Sequence, residues 1–223
     1  MNKRTVSIIY RLLVITSLLT GIILNFINTV SIRFLISYYT MQSNIICLIA
    51  FIFFWIKDLR KYNCKKSNLY YVMKGMVTIA ILVTAIIYLT ILLPNELPMY
   101  IISSKGMTGK KLGNILVHVI SPSLVLLDYV LIDEKGRFKF FYPFIWLFIP
   151  SGYVCFVYSG LGRFYRIGGS KKFGYFFLDY EKMGVQRVIA WVAGIAIGIV
   201  IVGYIFIWLD RKLVRHEQKK ENP

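Results

Sequence analysis

The chain reads as an all-α polytopic membrane protein, a bundle of six transmembrane helices with both termini cytoplasmic. Three observations lead there. Of its 223 residues, 57% are hydrophobic, and the mean hydropathy is +0.64, too apolar for a soluble domain of this size. The apolar residues fall into six blocks, each near the roughly 20 residues a helix needs to cross the hydrocarbon layer. The formal charge of +17 lies in the loops and the tail. Strands of a membrane barrel would be about half as long and would alternate in polarity. These blocks are apolar all round, and no internal repeat is visible.

The first block, residues 6–27, follows a short basic N-terminus and resembles a signal peptide at first sight. Its apolar region is too long, and no A-x-A-like site follows, so it is read as an uncleaved helix. Arg11 lies about one turn inside and is expected to snorkel to the cytoplasmic headgroups. Ser17, Gly21, Asn25 and Asn28 share one face. They form an inward packing stripe, with Asn25 also placed to line a cavity.

The second block, residues 39–56, opens on YYTMQSN. Polar groups at the mouth of a membrane helix are costly unless they find partners, and they often mark function. At 100° per residue, Thr40, Ser43, Asn44 and Cys47 fall within an arc of about 80°, while Gln42 points elsewhere. The plainer alternative is that Thr40 and Ser43 cap the helix and Asn44 glues it to a neighbour. The third block, residues 73–93, carries no such cluster.

The fourth block, residues 114–132, places Asn114, His118 and Ser121 at i, i+4 and i+7. Pro122 frees the His118 carbonyl from its usual helix bond and predicts a kink. Asp128 lies about 15 Å further along, too far to orient His118. The fifth block covers residues 140–161. The sixth, 185–209, repeats Ala190, Gly194 and Gly198 every four residues. Small residues at that spacing suit close helix packing, within the bundle or in self-association. Residues 1–210 thus form one transmembrane domain, and 211–223 a basic cytoplasmic tail.

With six crossings the termini share a side. That side, with Lys74 counted among the loop residues, carries sixteen Lys and Arg against ten opposite. The positive-inside rule then places both termini in the cytoplasm of a multi-pass plasma-membrane protein. The basic run from Lys57 to Lys66 would meet anionic headgroups, so membrane lipids are the expected partners. Nucleic acid is excluded, because the basic residues are split among short loops on both faces. Cys47, Cys64 and Cys155 show no metal or redox spacing and are read as small packing residues. No metal or organic cofactor is called for.

Helices 2 and 4 start on the same side of the membrane. Thr40 opens one, and His118 lies roughly 7 Å below the start of the other. The two therefore come to similar depth, near the ester carbonyls of a lipid. A hydroxyl beside an imidazole is the minimum for nucleophilic acyl transfer, with Asn44 or Asn114 as candidate oxyanion or orienting groups. Asp179, in the last external loop, either folds down to orient the histidine or caps helix 6 as a solvated carboxylate. The alternative to an ester hydrolase is a non-enzymatic membrane protein, a small transporter, lipid-binding or accessory subunit, in which these polar groups line a pocket or glue helices.

YYTMQSN at helix 2, N-x-L-x-H followed by LLDY in helix 4, Y-F-F-L-D in the last loop and LDRKL at the end together resemble the bacterial Pr6Pr-type membrane proteins. These are relatives of the androgen-induced-gene integral membrane proteins. The resemblance covers nearly the whole chain in order and spacing. It implies a threonine hydrolase of fatty-acid esters, with Thr40 as nucleophile and His118 as the essential histidine. The substrate it implies is an amphiphilic ester. The Y-F-F-L-D loop and LDRKL ending match the bacterial branch better than the animal one.

Overall fold

The computed structural model describes residues 2–60, 66–94, 109–166 and 173–221; Lys61, Cys64, Lys65, Lys105, Lys171 and Lys172 lie outside them, as do the side chains of Lys110 and of residues 215–221. All regular structure among the described residues is helical. Five helices are long and apolar enough to cross a membrane, or six if one pair bent at a short break is counted as a single span. The first is α1, Lys3–Ile27, capped by the Asn2 side chain. A short α2, Ile32–Ile36, then leads into α3, Tyr39–Leu59. The third span is α4, Asn68–Ile87, continued by a π-helical turn, Tyr88–Leu92. The fourth joins α5, Gly109–Ile115, a second π turn, Leu116–Ile120, and α6, Ser121–Ile132.

The two π turns have the same cause. Each ends two residues before a proline, Pro94 or Pro122. A proline ring clashes with the carbonyl four residues back, and widening the turn relieves that clash. The residue before each proline bonds five back instead of four, Leu93 N–H to the Tyr88 carbonyl and Ser121 N–H to that of Leu116. The kink expected at Pro122 is thus a one-turn bulge with His118 at its centre.

The fifth block is not one helix. It runs as α7, Tyr142–Trp146, and α8, Phe148–Tyr158, then bends by 74° into α9, Gly160–Arg166. The break at Leu147 falls just after Trp146, whose carbonyl would need the N–H that Pro150 lacks. After a 3₁₀ turn, Phe176–Leu178, and a short α10, Tyr180–Met183, the last helix α11 runs from Val185 to Glu221. Residues 211–221 continue this helix. No proline or glycine falls between Gly203 and Pro223 to stop it.

The face of α1 carrying Ser17 and Gly21 packs on the fourth span. The Ser17 and Ser121 hydroxyls meet at 2.9 Å. A Cβ on Gly21 would lie 2.9 Å from Val117 Cγ1 and 3.0 Å from Leu116 Cβ, so only glycine admits the π turn this close. Asn25 and Asn28 bond back to the carbonyls of Gly21 and Leu24. Asn25 packs against Gly113 and does not line the cavity described below. The stripe of Ala190, Gly194 and Gly198 on α11 does not pack closely inside the bundle. Ala190 and Gly194 are exposed, and a Cβ on Gly194 or Gly198 would meet nothing within 4 Å.

Arg11 and Lys74 depart most from expectation. Neither reaches solvent, and both are 0% exposed. Arg11 pairs with Asp58 at 2.8 Å, Asp133 at 3.1 Å and Asp128 at 3.4 Å. Lys74 pairs with Asp128 and, at 3.2 Å, with Asp133, which Lys66 also reaches at 2.7 Å. So Arg11 does not snorkel, and Lys74 is no loop residue. Three carboxylates, Asp58 in the last turn of α3, Asp128 in α6 and Asp133 just after it, draw both cations inward. At the same end, Asp210 of α11 binds the Tyr129 hydroxyl and the amides of Gly136 and Phe138. The two termini therefore lie at one end of the bundle.

Candidate functional site

At the other end, α3 begins where the loop before α10 folds over it. Tyr39 and Thr40 are the first residues of α3, so their amides have no partner within the helix. The Thr40 hydroxyl lies 3.1 Å from His118 Nε2, and both residues are buried. The opposite ring nitrogen, Nδ1, lies 2.9 Å from the Asn114 carbonyl oxygen. A carbonyl only accepts, so Nδ1 carries the ring proton and Nε2 presents its lone pair to Thr40. The Thr40 hydroxyl therefore donates to His118, the arrangement a general base requires.

The imidazole is held on a second side. The Tyr88 ring stacks on it with centroids 4.0 Å apart and planes 24° from parallel. The Tyr88 hydroxyl accepts a 2.8 Å bond from Asn114 Nδ2. Asn114 thus grips His118 through its own carbonyl and, by its side chain, through the stacked tyrosine. Both rings sit in π turns, which brings the two bulges into contact.

Asn44 spends both amide hydrogens on backbone, donating to the Thr40 carbonyl at 2.8 Å and to that of Val117 at 3.2 Å. It clamps the start of α3 to the residue before His118. It has no hydrogen left for an oxyanion. Ser43 bonds the Thr40 carbonyl and the Thr84 hydroxyl, tying α3 to α4. Ser121 faces Ser17 and does not join the pair. Asp179 neither orients the histidine nor stays solvated. It is buried and caps α10, accepting from the amides of Glu181 and Lys182 at 3.2 Å. An acidic side chain at a helix N-terminus finds orphan amides nearer than His118.

What comes down in its place is Tyr175, four residues earlier. Its hydroxyl lies 3.3 Å from Thr40 Oγ1 and accepts from the Thr40 amide at 3.4 Å. Neither Tyr175 nor Tyr88 was marked by sequence. The chain has sixteen tyrosines, and at membrane interfaces they are common for packing alone. The one available signal was the lone hydroxyl in the run Tyr175-Phe-Phe-Leu178.

Thr40 and Tyr175 also line a cavity of about 250 Å³. Its other walls are mostly apolar, with Ile87 and Leu92 from the third span, Val154 from α8, and Ile195 and Ile199 from α11, and they also include Thr84 and Ser151. No charged side chain lines it. Cys155, exposed, stands in its wall. Such a space takes an uncharged, largely apolar chain, with the Thr40 hydroxyl among the few polar groups in its wall.

Comparison of the chain with protein-family models, with curated proteins and with solved structures finds no match in any of the three.

Proposed function

We propose that the protein is an intramembrane threonine hydrolase of lipid or fatty-acid esters. One observation carries the reading: a buried threonine hydroxyl donates to a histidine nitrogen at 3.1 Å, in the wall of an apolar cavity. The acyl chain lies in the cavity with its ester carbonyl at Thr40. Oγ1 attacks the carbonyl carbon while His118 Nε2 takes its proton. The tetrahedral intermediate collapses as Nε2–H protonates the departing alkoxide. Water, deprotonated by His118, then cleaves the acyl-threonine, releasing the acid and restoring the hydroxyl. No carboxylate is bonded to His118 among the described residues; the Asn114 carbonyl fixes its tautomer instead.

The resemblance to Pr6Pr-type proteins points to the same two residues. The membrane setting follows the charge count. Without Lys74, which is buried, fifteen basic residues still face ten, favouring cytoplasmic termini in the plasma membrane. Thr40 then works in the outer half of the bilayer.

The test is hydrolysis of p-nitrophenyl esters by detergent-purified protein. Thr40→Ala is expected to abolish turnover, and His118→Gln to lower it by about 10²–10⁴-fold. A fluorophosphonate probe should label Thr40 in the wild type only. Cys155→Trp, which fills the cavity, should exclude long acyl chains before short ones. Equal rates for wild type and Thr40→Ala would end the hydrolase reading.

A further inference from the structure

The Thr40 hydroxyl has one proton, and His118 Nε2 receives it. The 3.3 Å contact between Thr40 Oγ1 and the Tyr175 hydroxyl therefore runs the other way, with Tyr175 donating. This bond leaves the Tyr175 oxygen free to accept the Thr40 amide. The phenol is thus held by its oxygen and aims its proton at the attacking atom.

Its ring is fixed on three sides. Phe177 stacks on it at 5.2 Å, and Tyr38 and Tyr153 meet it edge-on at 5.6 and 6.1 Å. Tyr175 is 6% exposed, and what it exposes faces the cavity. Burial pushes the phenol up to about 12, so it remains a neutral donor at physiological pH.

Resting on the hydrolase reading above, we propose that Tyr175 is the oxyanion donor of this site. When Oγ1 bonds to the carbonyl carbon it becomes an ether-like oxygen and a poor acceptor. The π pair of the carbonyl moves at the same moment to the carbonyl oxygen, now an oxyanion beside Oγ1. The Tyr175 O–H, already within reach of Oγ1, turns to this stronger acceptor and keeps its proton throughout. The interaction forms only as charge develops, which is what lowers a barrier without tightening substrate binding. Asn44 is ruled out for the task because both its hydrogens are spent, and Asn114 because its amide is turned to the Tyr88 hydroxyl and it does not line the cavity.

The experiment compares wild type, Thr40→Ala, Tyr175→Phe and protein carrying 3-fluorotyrosine at 175, on p-nitrophenyl esters and a trifluoromethyl ketone. The Phe variant keeps the ring contacts, and a thermal melt confirms that each variant folds. Tyr175→Phe is expected to lower kcat by about 10²-fold with KM within about threefold. Its affinity for the tetrahedral ketone adduct should fall in parallel. Fluorotyrosine, which retains the hydroxyl, should return kcat to near wild type. If Thr40→Ala is inactive but Tyr175→Phe keeps kcat and ketone affinity within about threefold, Tyr175 is not the donor and the hydrolase reading stands. If Tyr175→Phe and the fluorotyrosine protein lose activity alike, the ring's placement matters and the donor role is overturned. If wild type and Thr40→Ala do not differ, both proposals fall together.

Discussion

A hydroxyl becomes a nucleophile only when its proton has a fixed destination, and at Thr40 that destination depends on how firmly His118 is held. The ring is fixed by two weak contacts, the Asn114 carbonyl at 2.9 Å and the stacked Tyr88 ring. A stack of this kind contributes about 0.5–1.5 kcal/mol, up to roughly tenfold in a rate. Tyr88→Phe keeps the stack and loses the bond from Asn114, so kcat should stay within about threefold. Tyr88→Leu removes both and should lower kcat by about tenfold. A Leu variant as active as Phe would show that the stack does not position the base. His118 and Thr40 stood out because a polar group in an apolar block must find a partner, although capping or helix packing would account for it as well. Tyr88 did not, since a tyrosine in the 73–93 block is equally at home against lipid or core. Asn44 was legible as polar and inward, but whether its hydrogens served backbone or substrate depended on the Val117 carbonyl of another helix.

The helices that carry these residues depart from regularity at the proposed site. Pro122 forces the bulge that centres His118, and Pro94 forces the matching bulge that presents Tyr88. Pro122→Ala gives back the missing N–H and removes the clash, so the turn can close to an α-helix. An alanine in a helix interior is favoured over proline by about 3 kcal/mol. The variant should therefore melt no lower than wild type, yet lose activity by about 10²-fold as the imidazole rotates off Thr40. Thermal unfolding and kcat measured on one preparation would check both halves, and a fully active, α-helical variant would break the link between bulge and site. Block length and hydropathy located the five long helices and the bent pair, because burial in lipid demands about 20 apolar residues whatever the fold. They missed the break at Leu147 and the turn into α9. Those follow from prolines and from a close approach at Gly162, where a Cβ would lie 2.0 Å from the Phe156 carbonyl oxygen. Hydropathy does not register either.

The bundle as a whole is held at the end opposite the site by its buried ions. Arg11, Lys66 and Lys74 face Asp58, Asp128 and Asp133, three charges of each sign drawn from four separate stretches of chain. No window of sequence contains the network, which is why Arg11 and Lys74 read as headgroup ligands. Burial alone would raise the Asp133 carboxyl, but Lys74, Arg11 and Lys66 outweigh it and hold it well below the usual carboxylate range. A carboxyl depressed in the folded state contributes stability that is fully present above its unfolded value of about 4 and is lost as pH falls through the folded value. The melting temperature should thus be flat from pH 7 to about 5 and drop below about 4, and Asp133→Asn should flatten that drop. Lys74→Met should cost about 3–5 kcal/mol, because it leaves the fully buried Asp128 with Arg11 alone and takes one of three cations from Asp133. Replacing Lys74 and Asp128 together by Met and Leu takes one charge of each sign out of the network. Since a buried pair gains little over apolar residues of similar volume, the double variant should be more stable than Lys74→Met alone. The coupling energy from that double-mutant cycle, read from unfolding in detergent, measures how far the pair acts as one unit. A simple sum of the two single losses would mean that each ion is held by its other partners, so that the network tolerates the loss of any one link. Because this end lies a bundle length from Thr40, the double variant should keep its ester turnover if it folds, which separates what holds the spans together from what the site does.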